Sequence, residues 1–347
     1  MSKFEKTVCQ ILDKGEPFVL ATILSHEGST PRTAGTKMII CPDGKIIGTI
    51  GGGLVEAEAV KEASEVFKTT EARIRTFNMT AATADSMDMI CGGRLEVLLE
   101  LIEPTPSNIR MFSKLAESLQ KRQNVLFVCA LPTEGKKNMK AERCLIMADG
   151  SPEGDLLFPA TVSDPLVVNI VKQRTPAILT LGNTRFLVEP FFSPVTVYLF
   201  GAGHVSQQVS ILAKMVDFRV VVLDDREEFA NRERFKGADE IKSLVSFEKS
   251  FENLEIDQDS YIVIITRGHV HDRTVLEQAL RTNAGYIGMI GSRRKRDAIY
   301  KALLNQGFGF DDTDRVHSPV GLEIGAETPQ EIAVSIIAEL IAVRAGS

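Results

Sequence analysis

The stretch Val195 to Ala213, VTVYLFGAGHVSQQVSILA, sets a glycine turn between an apolar run and a helical repeat, an order that can hold a phosphate on backbone amides. Val197, Tyr198, Leu199 and Phe200 read as a buried parallel strand, Gly201 and Gly203 as the turn, and Val205, Val209 and Leu212 as the buried face of a helix. An acid about 20 residues past such a turn suits a ribose hydroxyl, and Asp224 or Asp225 stands there, just before Arg226. The third glycine of the dinucleotide fingerprint is replaced by Ser206, and His204 stands where a small residue would admit a pyrophosphate. The pattern therefore predicts a phosphate-bearing ligand, with NAD(P) one candidate. The same residues also suit a plain strand-to-helix turn with Asp224 as a cap.

Two further loops of the C-terminal half are polar. In TRGHVHD, His269 and His271 form a His-x-His after a strand and can present two imidazoles to one ion, but no other ligand set of clear spacing accompanies them. A ligand contact by His269, or capping by Asp272 of the helix begun in TVLEQAL, is expected instead. In GSRRKR, Arg293 to Arg296 open a helix after Gly291 and Ser292, so side chains and amides can hold an anion together; a solvated charge run is the alternative.

The N-terminal half carries GSTPRTAG (Gly28 to Gly35) and TIGGGLVEAE (Thr49 to Glu58). Gly51, Gly52 and Gly53 leave several amides free to reach an anion, with Glu56 projecting from the first turn, or they serve a tight strand-to-helix connection. Cys91 has room beside Gly92 and Gly93, and the charge of Arg94 favours its thiolate, or it is an ordinary buried structural cysteine. Cys9, Cys41, Cys129 and Cys144 sit in apolar contexts that suit ordinary core thiols.

These segments need elements to place them. Residues 1–103 predict an α+β domain: strands at Phe18 to Leu24, Met38 to Cys41, Lys45 to Ile50, Ala72 to Phe77 and Arg94 to Leu101, and a helix from the glycine run to about Phe67. Residues 104–190 read as a middle extension, opening with a helix capped by Ser107 and continuing in strands at Val125 to Leu131, Arg143 to Ala148, Ala177 to Leu181 and Thr184 to Val188. Residues 191–347 alternate strands at Val195 to Phe200, Arg219 to Leu223, Tyr261 to Ile265 and Tyr286 to Ile290 with helices, which predicts a Rossmann-like parallel sheet with helices on both faces. The fold class is α/β, with an α+β domain in front.

A chain of 347 residues, 44% hydrophobic and 25% charged, can build two or three cored domains. Its net charge of -6 argues against general nucleic-acid or anionic-membrane affinity. No run approaches the roughly 20 apolar residues of a membrane span, and MSKFEKTVCQILDKGE lacks the apolar core of a signal peptide, so a cytoplasmic location is expected. Five cysteines without a CxxC spacing suggest neither a disulfide framework nor a zinc knuckle.

Taken together, GSTPR with Gly35, GGG with Glu56, CGG at Cys91, GAGHV, DDR at Asp224, GSRRK and SPVGLEIGAETPQEIAVSI (Ser318 to Ile337) resemble the XdhC/CoxI family, in the family's order and over nearly the whole chain. Its members are accessory proteins of xanthine dehydrogenase and related molybdenum hydroxylases. The resemblance implies a maturation chaperone without independent turnover. It would bind molybdenum cofactor (molybdopterin), support its sulfurated form and deliver it to an apo-molybdenum hydroxylase, with a sulfur donor as a further partner; separately, the helix expected after Thr328 either closes the sheet or forms a homodimer surface. A hydroxylase of that type needs iron–sulfur cysteines, which this cysteine pattern does not supply. The resemblance makes Cys91 the candidate metal ligand, a soft thiolate suited to molybdenum. An NAD(P)-dependent oxidoreductase or a nucleotide-sensing regulator is the competing reading.

Overall fold

Strands with one face on a helix and the other on a second sheet alternate their buried residues, and the first half of the chain is built that way. The computed structural model describes residues 3–78, 93–132 and 141–346, in two compact units, Met1–Ser193 and Pro194–Ser347. The first unit contains α1 (Lys3–Asp13), β1 (Phe18–Glu27), β2 (Lys37–Ile40), β3 (Ile46–Gly48), α2 (Gly53–Thr69), β4 (Arg73–Asn78) and β5 (Arg94–Ile102). It continues with α3 (Pro106–Gln120), β6 (Val125–Ala130), β7 (Arg143–Ile146), β8 (Pro152–Gly154), α4 (Pro165–Gln173), β9 (Ala177–Leu181) and β10 (Thr184–Phe191).

These strands form two five-stranded antiparallel sheets, ordered β3-β2-β1-β5-β4 and β8-β7-β6-β10-β9. Val19, Ala21 and Ile23 of β1 pack on the α2 stripe Val55, Ala59, Ala63 and Val66. Phe18 and Leu20 point the other way, into a cluster with Phe127 and Leu187 of the second sheet. The middle segment thus shares a core with the first sheet. On the far side, Leu126 and Val128 pack on Val167 and Ile170 of α4.

Two local expectations are corrected here. Helix α3 is capped by Thr105, whose side chain accepts from the Asn108 amide at 3.2 Å, with Pro106 in the first turn. Ser107 lies inside the helix and its hydroxyl donates to Asp155 at 3.0 Å. Proline lacks the amide that a first-turn residue leaves unbonded, so the helix starts at Pro106. Helix α4, which the sequence reading omits, carries the same signal: Asp164 caps it, ahead of Pro165.

The second unit contains β11 (Thr196–Phe200), α5 (His204–Met215), β12 (Arg219–Asp224), β13 (Glu240–Ser243), β14 (Ser260–Ile264) and α6 (His269–Ala279). There follow β15 (Tyr286–Met289), α7 (Arg293–Leu304), α8 (Phe310–Asp314), β16 (Val316–His317) and α9 (Pro329–Arg344). Six strands pair in parallel in the order β13-β12-β11-β14-β15-β16. The sheet is Rossmann-like, as its alternating pattern predicts. Strands covered on both faces become continuous apolar runs, and every residue of β11 is buried. Val197 and Leu199 face α5 and α9, while Tyr198 and Phe200 face α6 and α7. Chain order reverses between β11 and β14, and a ligand crevice belongs at the carboxyl ends of those two strands. No helix among the described residues is long and apolar enough to cross a membrane.

Candidate functional site

Each unit presents one glycine-rich turn opening a helix. In the first unit, Gly51, Gly52 and Gly53 all have positive φ, at 142°, 76° and 54°, conformations that side-chain-bearing residues avoid. Glu56 holds this turn from within. Its Oε1 accepts from the Thr49 hydroxyl at 2.5 Å and from the amides of Gly52 at 2.9 Å and Ile50 at 3.3 Å. The carboxylate therefore takes the place an external anion would have at those amides. Gly53 and Leu54 begin α2 without a side-chain cap, and Cβ atoms on Gly52 or Gly53 would meet nothing within 4 Å.

The GSTPR loop closes one side of this turn. A Cβ on Gly51 would lie 3.1 Å from Pro31, and one on Gly93 would lie 2.5 Å from the Ser29 carbonyl oxygen and 2.6 Å from the Thr30 methyl. Gly93 is thus required by close approach, and it joins the GSTPR loop to the segment following Cys91 and Gly92. Cys91, the candidate metal ligand, and Gly92 lie outside the described residues. Burial pushes the other thiols up, Cys144 to about 11 and Cys129 far up with Glu100 adding to the effect. Cys9 and Cys41 move the same way, chiefly by burial. None of these four is prepared as a thiolate.

In the second unit, Gly201 has φ 110°, and a Cβ there would lie 2.1 Å from the Ile265 carbonyl oxygen of the neighbouring strand's exit. Gly203 instead opens onto free space and caps α5 with no side-chain bond. His204 is exposed in the first turn, while Ser206 is buried and its hydroxyl has no partner among the described residues. The first-turn amides of α5 are left without a side-chain cap, the arrangement that receives an anion at other helix starts.

Asp224 faces inward. Its Oδ2 accepts from the Ala202 amide at 2.7 Å, and both oxygens take the Arg226 guanidinium, at 2.8 and 2.9 Å. Burial alone would raise this carboxyl, but Arg226 and the two amides hold it below its ordinary value. Asp224 therefore braces the glycine turn with the charge expected for a ribose. Asp225 makes a two-pronged pair with Arg267 at 2.7 and 2.8 Å, joining the loops on either side of β11.

Helix α6 starts at His269 with Gly268 as its cap, so Asp272 is not the cap that spacing suggests. Fully buried, Asp272 accepts from the Thr266 amide at 3.1 Å, the Thr266 hydroxyl at 2.5 Å and the Lys295 ammonium. It pins the β14 exit loop to α7. The His271 ring lies 5.2 Å from that of Phe247. No group of three or more His, Cys, Asp or Glu among the described residues can hold a metal. His269 instead lines a cavity of about 760 Å³ with Arg273, Ser292, Arg294 and Lys295. Arg293 is exposed in the first turn of α7 beside it.

Sequence reasoning missed Thr49, Arg267 and the ion pair of Lys37 with Glu189, 2.5 Å apart across the two sheets of the first unit. Each had a signal. Glu189 interrupts the apolar strand FLVEPF, and a charge within such a strand needs a buried partner.

Residues 197–340 match the family model of the XdhC Rossmann domain, and residues 11–78 match that of the XdhC and CoxI family. The chain is 28% identical over 351 residues to a protein of Bacillus subtilis (strain 168) described as a probable xanthine dehydrogenase subunit, covering 99% of this chain and 98% of that one. It is 21% identical over 336 residues to the "Molybdenum cofactor insertion chaperone PaoD" of Escherichia coli (strain K12), covering 96% and 86%. It is 25% identical over 328 residues to the "Uncharacterized protein YqeB" of Escherichia coli (strain K12), covering 94% of this chain but spanning only 44% of that relative's length. A crystal structure described as a xanthine dehydrogenase from Bacillus halodurans superposes with a TM-score of 0.80 at 26% identity, over 100% of this chain and 96% of that one.

Proposed function

The chain belongs to the XdhC and CoxI family, and on that premise we propose that it binds molybdenum cofactor and delivers it, sulfurated, to an apo-hydroxylase of the xanthine dehydrogenase type. It acts as a maturation chaperone in the cytoplasm, receives sulfur from a separate donor and has no turnover of its own. The observation that carries this reading is the packing of three sequence motifs at one place in the first unit. The GSTPR loop abuts both the glycine run and Gly93, the residue that follows Cys91 and Gly92.

The residues present suit the group. The Gly53 and Leu54 amides opening α2 and the first-turn amides of α5 have no side-chain cap and suit a phosphate, and a Cys91 thiolate would supply a soft ligand to molybdenum. When bound, the cofactor supplies the molybdenum centre that the client enzyme uses. Glu56 keeps the α2 turn open, Asp224 and Arg226 do the same for the α5 turn, and Gly203 leaves room for the anion. His204, at the mouth of α5, contacts the phosphate or the pterin.

Replacing Cys91 with Ala is expected to leave thermal unfolding unchanged while lowering copurified molybdenum and apo-hydroxylase activation at least ten-fold. Unchanged molybdenum content and activation would remove Cys91 from the mechanism. The parallel sheet with its open α5 turn favours a second reading, an NAD(P) enzyme or nucleotide sensor. Against it, the Asp224 oxygens are already engaged. Tight NAD(P)H binding with substrate-dependent oxidation, and no retention of molybdenum cofactor, would reverse the order of the two.

A further inference from the structure

Helices α6 and α7 follow the paired strands β14 and β15 and pack on one face of the sheet. The groove at their junction is a cavity of about 760 Å³, within the usual range for small-ligand pockets. Arg273, Arg294 and Lys295 line it, and among the described residues no Asp or Glu does. Lys295 is committed to the buried Asp272. Arg273 and Arg294 have no hydrogen bond or ion pair among the described residues. By contrast, Arg267, Arg281 and Arg296 of the adjoining segments each meet an acid, Asp225, Glu277 and Asp297. Arg294 is exposed and Arg273 half-buried, so water reaches both side chains and each can turn to a ligand. Two positive charges thus stand at the groove without an acid. The wall continues along α7 as Ala298, Ile299 and Ala302, and Val270 of α6, itself 53% exposed, adds apolar surface that gains by being covered.

We propose that this groove binds an organic phosphate monoester, its phosphate held by Arg273 and Arg294 and its organic body laid on the apolar wall. Such a monoester carries about 1.5 to 2 negative charges at neutral pH and three acceptor oxygens, which match two guanidinium groups as the single charge of a carboxylate does not. Ser292 also lines the groove; its hydroxyl accepts from the Lys295 amide and keeps its own proton to give. The groove is separate from the α5 turn, because α5 packs on the opposite face of the sheet. The inference therefore stands apart from the molybdenum cofactor reading and adds a second ligand to the second unit.

The test is calorimetric titration of the full chain with phenyl phosphate, benzoate and inorganic phosphate. Phenyl phosphate should bind about ten-fold more tightly than benzoate, a monoanion, and than inorganic phosphate, which has no apolar body. Arg273→Gln and Arg294→Gln should each weaken phenyl phosphate about five-fold while leaving thermal unfolding unchanged, since neither guanidinium holds the fold. Ala302→Leu, which fills the apolar wall, should weaken phenyl phosphate and spare inorganic phosphate. No saturable binding to the wild-type chain, or equal binding of phenyl phosphate and benzoate, overturns the proposal without needing any variant to fold. Loss of phenyl phosphate binding in Gly203→Ala, with binding kept in both arginine variants, places the probe at the α5 turn and also overturns it. Copurified molybdenum should be the same in the arginine variants as in wild type; a parallel fall would make the cofactor's own phosphate the occupant and overturn a separate ligand. If the wild-type chain retains no molybdenum cofactor, the proposed function fails and the groove stands on the phosphate titration.

Discussion

The two glycine turns solve one problem, a strand passing into a helix with its first amides exposed, and they brace it from different distances. In the first unit the brace is local: Glu56 reaches back four residues to Gly52 within its own helix. In the second it is tertiary: Asp224 comes from the end of the next strand to hold the Ala202 amide, 22 residues away in sequence. The glycines differ to match. Gly52 and Gly53 are required by their backbone angles alone, Gly201 by its angle and by the carbonyl of a neighbouring strand, and Gly203 by neither. Similar glycine patterns can therefore record conformation, crowding or room for a ligand.

The largest expected effect comes from filling the crowded position. Gly201→Ala forces a Cβ against the Ile265 carbonyl at a positive φ, and denaturant unfolding should lose about 3–5 kcal/mol. A loss near zero would show that β11 and β14 separate freely and would dissolve the distinction between the two turns.

Next come the braces. Asp224→Ala removes a buried carboxylate, leaves the Ala202 amide and the partly exposed Arg226 guanidinium without their acceptor, and should cost about 2–3 kcal/mol. Glu56→Ala, in a half-buried local turn, should cost about 1–2 kcal/mol in the same measurement. Reversal of that ranking would make the local brace the stronger one.

The two units should also respond to pH with opposite sign. Asp224 is held below the ordinary Asp value of about 3.9, so its contribution is complete above that pH and is lost as pH falls through the lowered value. Glu189 is raised above the ordinary Glu value of about 4.3, so the folded state binds more protons and stability declines as pH rises from there through the raised value. Unfolding midpoints against pH should therefore flatten above about pH 4.3 in Glu189→Gln and below about pH 3.9 in Asp224→Asn. A slope unchanged in either variant refutes the corresponding sign.

The smallest effect sharpens the comparison from the ligand's side. Gly203→Ala meets no neighbouring atom and should change stability by no more than about 0.5 kcal/mol, while weakening phosphate-bearing ligands measurably. Equal ligand affinity in wild type and variant would mean that the α5 turn is not where the anion sits.

Most of the second unit was legible in the residues because strands buried on both faces become unbroken apolar runs; all four strands read from sequence are present. The short strands β8, β13 and β16, of three, four and two residues, lack any period to read. The candidate sites were half legible. The glycine turns were plain, but spacing alone left Asp224 or Asp225 for a ribose, with Asp224 as a cap the alternative, and made Asp272 a cap, whereas Asp224 and Asp272 turn inward to fasten loops.

By itself, then, the sequence determined where backbone bends and where helices begin, since φ preference, caps and apolar period are properties of neighbouring residues. Only the tertiary structure decided which charges are spent internally and which face a ligand. A carboxylate's partners come from strands and loops far along the chain: Asp224 finds Ala202, Asp272 finds Lys295, and Glu189 finds Lys37. Burial makes each of those pairings obligatory, because a charge withdrawn from water must meet its partner inside the fold.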